Sequence, residues 1–501
     1  MKHIDQTIAA LMCCALMTSA QLAGQSTATH PSAPPTYRYM AIDLGTLGGP
    51  SSYSCVPDCR YLNNAGETLF DADTAAPDPF PSYCLIDCYA PLGVKYVNGK
   101  DTILSSLPGG VDTRPVWFSD SGLVSGYAEN GLLDPSTGQP EIVAVLWHGG
   151  TPQELGTFGG TASLGWAVND SGQVAGGAAT TTPDALAGSF WDVDPFPFLG
   201  TTEIHAFLWN DGALHDLGTL GGPDSNAQFL NDSGQVAGIS FTNSTPNSTT
   251  GLPTLDPFLW ENGKMKDLGS LGGTLGYPYS INNAGHVVGQ SNLAGDTTYQ
   301  AFLWKGDKMI ALPTLGGNNG LSLQINDADA AVGWGDLPGS QAHHATLWRN
   351  GKVTDLGVIG TDPCSTGYSI NASNQVVGDS GDGSGIETCG PKLHGFLWEN
   401  GGPAVDISTL FAPLSSGLNF FAACCIADGG EILGIGSLPN GDDHMMLIVP
   451  CDANHVDAPA CHAGAGELVG ADEASQAPRF EPSTVASWTH NRAQIHKPAL
   501  E

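Results

Sequence analysis

Residues 205–239 read HAFLWNDGALHDLGTLGGPDSNAQFLNDSGQVAGI and contain every local signal on which the predicted fold depends. The apolar residues 207–209 precede Asp211-Gly212, and such a dipeptide between two apolar runs favours a type I′ hairpin because both central residues need a positive φ. A second hairpin is predicted at residues 231–234, where the Asn-x-x-Gly spacing suits a longer turn that ends in a left-handed glycine. The segment therefore predicts four short antiparallel strands.

The same pattern recurs along most of the chain. Its central motif, DLGTLGG in residues 216–222, has eight copies, two of which are weak. The copies begin at Asp43, Ile103, Glu154, Asp216, Asp267, Ala311, Asp355 and Asp406, and the weak ones are those at Ile103 and Asp406. Repeats of four antiparallel strands are typical of propeller blades, because radial repetition protects the sheet edges. The sequence thus predicts an all-β fold, a single β-propeller of eight four-stranded blades over residues 37–450, fewer if a weak copy forms no blade.

The two ends of the repeat region distinguish a closed propeller from an open solenoid. Residues 39–45 supply a DLG strand with no apolar strand before it, whereas residues 445–449 supply an apolar strand with no DLG motif after it. Each end holds what the other lacks. We therefore expect these two strands to pair and to close the ring.

The terminal segments differ in composition from the repeats. Residues 1–20 combine Lys2, an apolar run and small residues suited to a signal-peptidase site, which predicts a secretory signal peptide. Residues 21–36 are interpreted as a linker, and residues 451–501 as a disordered tail because their apolar content is low. The protein is accordingly predicted to be secreted, without membrane insertion after signal removal; a periplasmic protein or a lipoprotein attached at Cys13 is the alternative.

The net charge restricts the partners. The chain has 50 Asp and Glu against 16 Lys and Arg, a formal net charge of −34. Phosphate backbones would be repelled, which excludes nucleic acid as an expected partner. A monomer is expected.

The parity of antiparallel strands assigns the loops to two faces. The Asn-Gly and Asn-x-x-Gly turns share one face, here called the turn face. The loops with the Gly-Gly motif (GG loops) and the connections that follow each Asn-x-x-Gly hairpin share the other, the loop face. The longest connections leave four consecutive repeats, after Phe70, Gly126, Gly176 and Gly238. Because such insertions often form a binding face, we expect the ligand there, although tolerated surface growth is an equally open interpretation.

The cysteines fit the same geometry. Two disulfides are predicted among the four cysteines of the first repeat, Cys55, Cys59, Cys84 and Cys88, and a third between Cys364 and Cys389. Zinc binding by the two CxxxC pairs is the alternative. The connectivity of Cys424, Cys425, Cys451 and Cys461 stays open.

The repeated polar and aromatic residues favour structural roles. A backbone-accepting turn role is expected for Asp216, Asp267 and Asp355, and packing between blades for Trp209, Trp260, Trp304, Trp348 and Trp398. A capping or surface role is expected for His205, His344, His394 and His444.

An enzyme would need residues that break the repeat symmetry. The candidates are His343-His344, Glu203-Ile204-His205 and the Asp-rich residues 184–194, but none has a recognised catalytic spacing. Residues 379–382 (DSGD) come nearest to a calcium loop and have too few ligands for one. No catalytic, cofactor-binding or metal-binding residue is assigned, and no cofactor is expected.

The combination of His205-Ala206-Phe207-Leu208-Trp209, DLGTLGG and NDSGQVAG resembles the bacterial extracellular HAF repeats. The resemblance covers about residues 37–450; it implies export and a repeat architecture, and it brings no activity with it. Two functions follow as hypotheses. The first is a non-enzymatic module that binds carbohydrate, a cell-surface component or a protein on the loop face. The alternative is an extracellular polysaccharide hydrolase or lyase, for which the fold alone is only an analogy.

Overall fold

The computed structural model describes residues 37–53, 60–80, 88–192, 201–383, 389–390, 392–452 and 455. Within these residues the chain forms antiparallel strands, one short helix, α1 (Ala187–Asp192), and one 3-10 turn, Ile407–Thr409. The prediction of an all-β fold is confirmed. The predicted signal peptide, the linker and nearly all of the predicted tail lie outside the described residues.

The strands form four-stranded units, numbered here as sheets 1 to 8 along the chain. The first strand, β1 (Tyr39–Asp43), belongs to the last sheet. Sheet 1 contains β2 (Gly48–Tyr53), β3 (Thr68–Pro77), β4 (Tyr89–Val97) and β5 (Lys100–Leu104), and sheet 2 contains β6 (Thr113–Phe118), β7 (Val124–Leu133), β8 (Pro140–His148) and β9 (Thr151–Glu154). Sheet 3 contains β10 (Ser163–Val168), β11 (Val174–Pro183), β12 (Thr202–Asn210) and β13 (Ala213–Gly218), and sheet 4 contains β14 (Ser225–Leu230), β15 (Val236–Phe241), β16 (Leu255–Glu261) and β17 (Lys264–Asp267). Sheet 5 contains β18 (Gly272–Ile281), β19 (Val287–Leu293), β20 (Tyr299–Lys305) and β21 (Lys308–Ala311), and sheet 6 contains β22 (Gly320–Ile325), β23 (Ala331–Asp336), β24 (His343–Arg349) and β25 (Lys352–Asp355). Sheet 7 contains β26 (Cys364–Ile370), β27 (Val376–Gly381), β28 (Leu393–Trp398) and β29 (Val405–Asp406), and sheet 8 contains β30 (Asn419–Ile426), β31 (Ile432–Ser437) and β32 (Asp443–Pro450) together with β1.

Each sheet pairs its strands in chain order, and a single parallel bridge between Leu255 and Leu275 joins sheets 4 and 5. The sequence repeat is offset from the sheet by two strands. Its apolar strand and its DLG strand are the third and fourth strands of one sheet, whereas its Asn-x-x-Gly hairpin begins the next sheet, because the GG loop crosses between sheets. The connections after the Asn-x-x-Gly hairpins therefore lie within sheets and do not separate them. Both weak copies of the motif, at Ile103 and Asp406, contribute fourth strands.

The two ends of the described chain meet in sheet 8. β1 pairs antiparallel with β32 in a register that runs from Tyr39 opposite Pro450 to Asp43 opposite Met446. Tyr39 and Met40 are buried by this pairing. The pairing of the end strands is the one that the sequence predicts.

Asparagine side chains link the sheets on the turn face. We call Asn63, Asn169, Asn231, Asn282, Asn326 and Asn371 the asparagine belt. Each Oδ1 accepts backbone N–H groups of its own turn, as the Asn-x-x-Gly motif suggests. Each Nδ2 also donates to a backbone carbonyl in the turn of the following sheet, at 2.9 to 3.2 Å. One residue thus closes a turn and joins two sheets.

Replacing Asn282 with alanine is expected to lower the free energy of unfolding by about 2 kcal/mol, since buried backbone groups in two sheets lose their partners. Asn282 is 4% exposed, accepts from Ala284 and His286, and donates to the carbonyl oxygen of Asn326. Urea unfolding measures the change. The matched control is Asn283→Ala in the same turn. Its side chain also bonds Asp232 and Asp327 in the neighbouring turns, but these bonds are exposed and water can replace them, so the expected change is about 0.5 kcal/mol or less. Equal losses in the two variants would contradict the belt's role.

Hydroxyl groups link the sheets near the loop face. In five sheets the first strand carries a buried serine or threonine whose Oγ accepts a backbone N–H from the third strand of the preceding sheet. The donor and acceptor residues are Gly93 and Thr113, Ala144 and Ser163, Ala206 and Ser225, Ala345 and Ser365, and Met445 and Ser52. The last of these bonds joins sheet 8 to sheet 1 with the same geometry as the others.

Aromatic side chains fill the space between sheets. The predicted packing role of the repeated tryptophans is confirmed, since each lies in or against a hydrophobic cluster drawn from neighbouring sheets. Trp117 and Phe229 lie on the first strands of sheets 2 and 4, which are not consecutive, yet their ring centroids are 6.3 Å apart. First strands of consecutive sheets from sheet 2 to sheet 8 also contact one another. The first strands of these sheets therefore lie close together.

Candidate functional site

Three consecutive sheets carry hairpins that extend beyond the rest of the sheet on the loop face. Their second strands, β3, β7 and β11, are each 10 residues long, compared with 6 residues in β15, β23, β27 and β31. In all three, the first six residues are buried and the last three are exposed. The long connections that the sequence shows after Phe70, Gly126 and Gly176 thus begin as extensions of the second strands of sheets 1 to 3. In sheet 4 the long connection after Gly238 leaves β15 without such an extension.

A buried arginine lies at the base of the first two hairpins. Arg114 is in β6, opposite Tyr127, and its Nη1 is 3.5 Å from Oδ2 of Asp71 in the neighbouring sheet. The Arg114 and Asp71 side chains are only 14% and 4% exposed. The guanidinium carbon lies 5.1 Å from the ring centroid of Tyr53, which is opposite Asp71 in sheet 1. Arg114 has no counterpart in the other repeats.

The guanidinium retains hydrogen-bonding capacity. An arginine offers five N–H donors in a planar fork. Among the residues that the structure describes, Arg114 has the ion pair with Asp71 and the contact with Tyr53, and its side chain makes no hydrogen bond of normal geometry. A mostly buried cation with unused donors is suited to a polar ligand.

Three further carboxyl groups surround this arginine. Asp112 belongs to the GG loop that leads into β6, Glu129 to β7, and Asp78 to the connection after β3. Burial and, to a smaller extent, the Glu129 carboxylate raise the pKa of Asp112 to about 8, although Arg114 opposes the shift. Burial also raises the pKa of Glu129, against hydrogen bonds from the backbone of Val111 and Asp112. We call Tyr53, Asp71, Asp78, Asp112, Arg114 and Glu129 the Arg114 cluster.

A proline explains why the Asp112 carboxyl has an atom without a partner. Asp224 occupies the equivalent position in the GG loop before sheet 4, and its Oδ1 accepts the backbone N–H of Ile204 at 3.0 Å. The residue that corresponds to Ile204 in sheet 1 is Pro91, which pairs with Asp73 as Ile204 pairs with Ala179. Proline has no N–H to donate. Oδ1 of Asp112 is consequently buried without a hydrogen-bond partner among the described residues.

A second carboxyl pair lies on the loop face between sheets 3 and 4. Burial raises the pKa of Asp224 to about 8, against the hydrogen bond from the backbone of Ile204, and the adjacent Asp184 carboxyl contributes to the rise. Asp184 begins the Asp-rich stretch that the sequence singled out, and the rest of that stretch from residue 193 onward lies outside the described residues. No cation comparable to Arg114 is among the main groups that shift the pKa of Asp224.

The repeated histidines and aspartates bind each other. His205, His344 and His444 each place Nδ1 within 2.8 to 3.0 Å of the aspartate of the DLG motif in the adjacent strand. Those aspartates, Asp216, Asp355 and Asp43, also accept the N–H of the following glycine, which confirms the predicted turn role. His394 instead contacts Asp362. For His205, His344 and His444 the predicted capping or surface role thus includes a cross-strand contact with the aspartate of the DLG motif, because the two motif halves lie side by side.

The His205–Asp216 pair makes stability depend on pH. The hydrogen bond that His205 donates to Asp216 raises the pKa of His205 above 6.5 despite burial. Burial raises the pKa of Asp216, but hydrogen bonds from His205 and Gly218 outweigh it and lower the pKa below 3.8. The histidine contribution is therefore complete below about pH 6.5 and lost as the pH rises, whereas the aspartate contribution is lost as the pH falls below about 4.

His205→Gln is accordingly expected to destabilise the protein more at pH 5.5 than at pH 9. Because the pair is partly exposed, the difference should be about 1 kcal/mol or less. Urea unfolding at both pH values measures it, with Gln300→Ala as the control, since Gln300 occupies the same position in sheet 5 without an aspartate partner. A pH-independent loss in His205→Gln would show that the pair does not titrate.

The remaining candidates from the sequence do not come together with one another. His343 is buried away from its neighbour His344, which pairs with Asp355. Glu203 lies 4.0 Å from His205, whose other nitrogen is held by Asp216. Asp379 of the DSGD segment is buried in β27, where its Oδ1 accepts the N–H of Ala423 in sheet 8. Burial raises the pKa of Asp379 to about 8, which is unsuited to calcium binding.

The cysteines are oxidised at several positions. The predicted disulfide between Cys364 and Cys389 is present. Cys88, Cys424 and Cys451 are also disulfide-bonded, and Cys425 is a free, buried thiol. The pairing predicted for Cys55, Cys59 and Cys84 and the position of Cys461 lie outside the described residues. Within the described residues, one group of side chains has the spacing of a metal site, namely His343, Cys364 and Cys389.

Comparisons with known proteins concern the fold. No protein-family model and no curated protein matches the chain, so the resemblance to HAF repeats stays a prediction. Among solved structures, the β-propeller domain of the Trilobed protease from Pyrococcus furiosus is similar with a TM-score of 0.41 and 10% identity, over 71% of this chain and 95% of that chain. Porphyromonas gingivalis dipeptidyl peptidase 4 is similar with a TM-score of 0.43 and 11% identity, over 79% of this chain and 59% of that chain. A putative TolB from Agrobacterium tumefaciens is similar with a TM-score of 0.31 and 12% identity, over 70% of this chain and 95% of that chain.

No helix among the described residues is long and apolar enough to cross a membrane. The repeated four-stranded antiparallel sheets give the protein a fold of the β-propeller type.

Proposed function

We propose that the protein is an extracellular, non-enzymatic β-propeller of eight blades that binds carbohydrate on its loop face, at the Arg114 cluster. The observation that carries the proposal is the mostly buried guanidinium of Arg114, which retains unused donors at the base of the extended hairpins. We include in this proposal a closed ring of eight blades, a carbohydrate ligand, export from the cell and a monomeric state.

Bonds between consecutive sheets support a closed ring. The asparagine belt and the hydroxyl bonds together connect sheets 1 through 8 in order. Sheet 8 is then joined to sheet 1 by Met445 and Ser52, and its fourth strand is the N-terminal β1. An open stack would need neither of the last two contacts.

The chemistry of the Arg114 cluster supports a sugar ligand. Sugars present hydroxyl groups that both donate and accept, together with apolar ring faces. Arg114 supplies donors, Asp71 and Glu129 supply acceptors, and the adjacent Tyr53 supplies an aromatic face, a combination that fixes polar ligands in a specific orientation. The hairpin of sheet 2 adds the exposed side chains of Leu132 and Leu133 near its tip. A cell-surface component or a protein that presents the same groups is the alternative partner.

Disulfide formation supports export. Disulfides persist in oxidising compartments and are rare in the cytosol. The bond between Cys364 and Cys389 and the oxidised state of Cys88, Cys424 and Cys451 agree with that environment. The secretory signal predicted for residues 1–20 would provide the route.

A glycan panel tests the ligand class. We expect at least one glycan to bind and Arg114→Lys to weaken that binding at least about tenfold, because lysine keeps the charge but loses the planar fork. The matched control is Arg349→Lys, the same substitution on an exposed turn-face residue, which should leave affinity unchanged. Unchanged affinity in Arg114→Lys, with both variants folded, would refute this site.

One observation favours a hydrolase or lyase as the second candidate. Asp112 has a pKa of about 8 beside Glu129, so it would hold a proton at neutral pH as a general acid must. Product release from a polysaccharide panel, abolished by Asp112→Asn while binding persists, would establish catalysis. If native protein binds a glycan without turnover, the binding function stands.

A further inference from the structure

The loop face contains a second group of chemically reactive side chains, between sheets 6 and 7. Cys364 begins β26, Cys389 belongs to the connection after β27, and His343 begins β24 in the preceding sheet. All three are buried, with exposed fractions of 1 to 3%. Nε2 of His343 lies 3.3 Å from Sγ of Cys364 and 3.8 Å from Sγ of Cys389. The imidazole therefore faces the disulfide.

Neighbouring residues hold the imidazole in this orientation. The His343 ring lies against Trp334, with centroids 4.5 Å apart and planes inclined at 37°. Its Nε2 is also 3.3 Å from Oγ1 of Thr366, a buried hydroxyl on β26. A surface histidine would not be fixed in this way. The two sulfurs, the nitrogen and the hydroxyl thus converge from two strands, β24 and β26, and one connection.

These atoms form a ligand set when the disulfide is open. The candidate ligand atoms of His343, Cys364 and Cys389 all lie within 4.8 Å of one another. Two thiolates and one imidazole, with a hydroxyl or water as the fourth ligand, form a set that Zn²⁺ prefers in tetrahedral sites. In the oxidised protein the S–S bond occupies the sulfurs and leaves no thiolate for a metal.

We propose that His343, Cys364 and Cys389 form a redox-controlled zinc site, closed by the disulfide and opened by reduction. A phosphine reductant supplies two electrons and, with water, becomes a phosphine oxide, while the disulfide takes up two protons as two thiols. Zn²⁺ then displaces the two thiol protons and binds both sulfurs and Nε2 of His343. A small-molecule disulfide added as the oxidant accepts two electrons and, with two protons from water, becomes two thiols, while the Cys364–Cys389 bond re-forms and Zn²⁺ is released.

Cysteine-specific alkylation of the full-length protein tests the proposal. The protein is reduced with a phosphine and treated with an alkylating reagent with or without Zn²⁺, and the modification of Cys364 and Cys389 is quantified separately by mass spectrometry. Zn²⁺ should slow the modification of both residues at least about tenfold in the native sequence. His343→Ala should lose this protection, whereas the neighbouring His344→Ala should retain it. The reading at two named cysteines separates this site from thiols elsewhere in the reduced chain.

Cobalt binding provides a second measurement. Co²⁺ added to the reduced native protein should give the intense visible bands of tetrahedral thiolate coordination, with one equivalent lost in His343→Ala and kept in His344→Ala. Equal protection and equal cobalt spectra in the two histidine variants would overturn the proposal. Zinc protection of the reduced native protein that does not depend on His343 would also overturn the proposal. This outcome includes a chain that unfolds on reduction and binds Zn²⁺ through its thiols alone.

Discussion

Replacing Arg114 with leucine is expected to lower the free energy of unfolding by about 3–5 kcal/mol, because the substitution leaves the Asp71 carboxylate buried without its cation. The Asp71 side chain is 4% exposed, and the guanidinium is its charged neighbour across the interface of sheets 1 and 2. Three other carboxyl groups lie nearby, so the loss of the cation also increases repulsion within the Arg114 cluster. Equilibrium unfolding in urea measures the effect.

A double variant separates the charge effect from lost packing. Adding Asp71→Asn to Arg114→Leu removes the uncompensated carboxylate, and it should recover at least about 1 kcal/mol of the loss. Arg349→Leu, at an exposed position, should change the free energy of unfolding by about 0.5 kcal/mol or less. If the added Asp71→Asn substitution recovers none of the lost free energy of unfolding, the buried ion pair does not stabilise the interface between sheets 1 and 2.

Replacing Tyr39 with alanine should lower the free energy of unfolding by a comparable amount, about 3–5 kcal/mol. Tyr39 lies on β1 and is 5% exposed, although it comes from the opposite end of the chain to the sheet that buries it. Its ring belongs to the same hydrophobic cluster as Phe411, Phe420 and Ile448. The substitution opens a cavity at the contact between the two ends of the described chain.

The site of the damage distinguishes this prediction from general destabilisation. Backbone amides of β32 should exchange faster with solvent in Tyr39→Ala, while amides of β14 and β15 in sheet 4 should be the least affected. Tyr37→Ala, two residues earlier and only half-buried, is the matched control and should cost about 1 kcal/mol or less. Uniform acceleration of exchange in all sheets would contradict a local role for β1.

The sequence predicted the strands because each repeat carries its own turn signals. Asp211 has the positive φ that the type I′ turn requires, and Gly234 has the left-handed conformation expected at the end of the Asn-x-x-Gly turn. The ends of the repeat region likewise predicted the pairing of β1 with β32. These features are local or depend on a complementary motif, so a pattern in the sequence is sufficient to find them.

Contacts between sheets were harder to find in the sequence. Asn231 was interpreted as a turn residue, but its Nδ2 also reaches the carbonyl oxygen of Asn282 in the next sheet. His205 and Asp216 were assigned separate roles because the pattern alone does not show that the two side chains meet across β12 and β13. In both cases the repeat pattern shows the two residues, but it does not show that they contact each other.

The Arg114 cluster was missed altogether. Its members come from two sheets, and they break the repeat where no motif draws attention to them. One signal was present: Pro91 removes an N–H that Ile204 supplies in the corresponding place, which leaves Asp112 with an unpaired oxygen. That signal can be recognised only when the strands are aligned by their register in the sheets. The loop face itself could be predicted, since the length of the connections is a property of the sequence.

Hydrogen exchange of the protein with and without a saturating glycan from the panel tests whether the glycan binds at the Arg114 cluster. Binding there should protect residues 71–78, 109–114 and 129–133, which form the loop face of sheets 1 and 2, and should not protect the turn at residues 231–234 on the opposite face. Protection confined to the turn face, or to sheets 5 to 7, would contradict the assignment of the binding site.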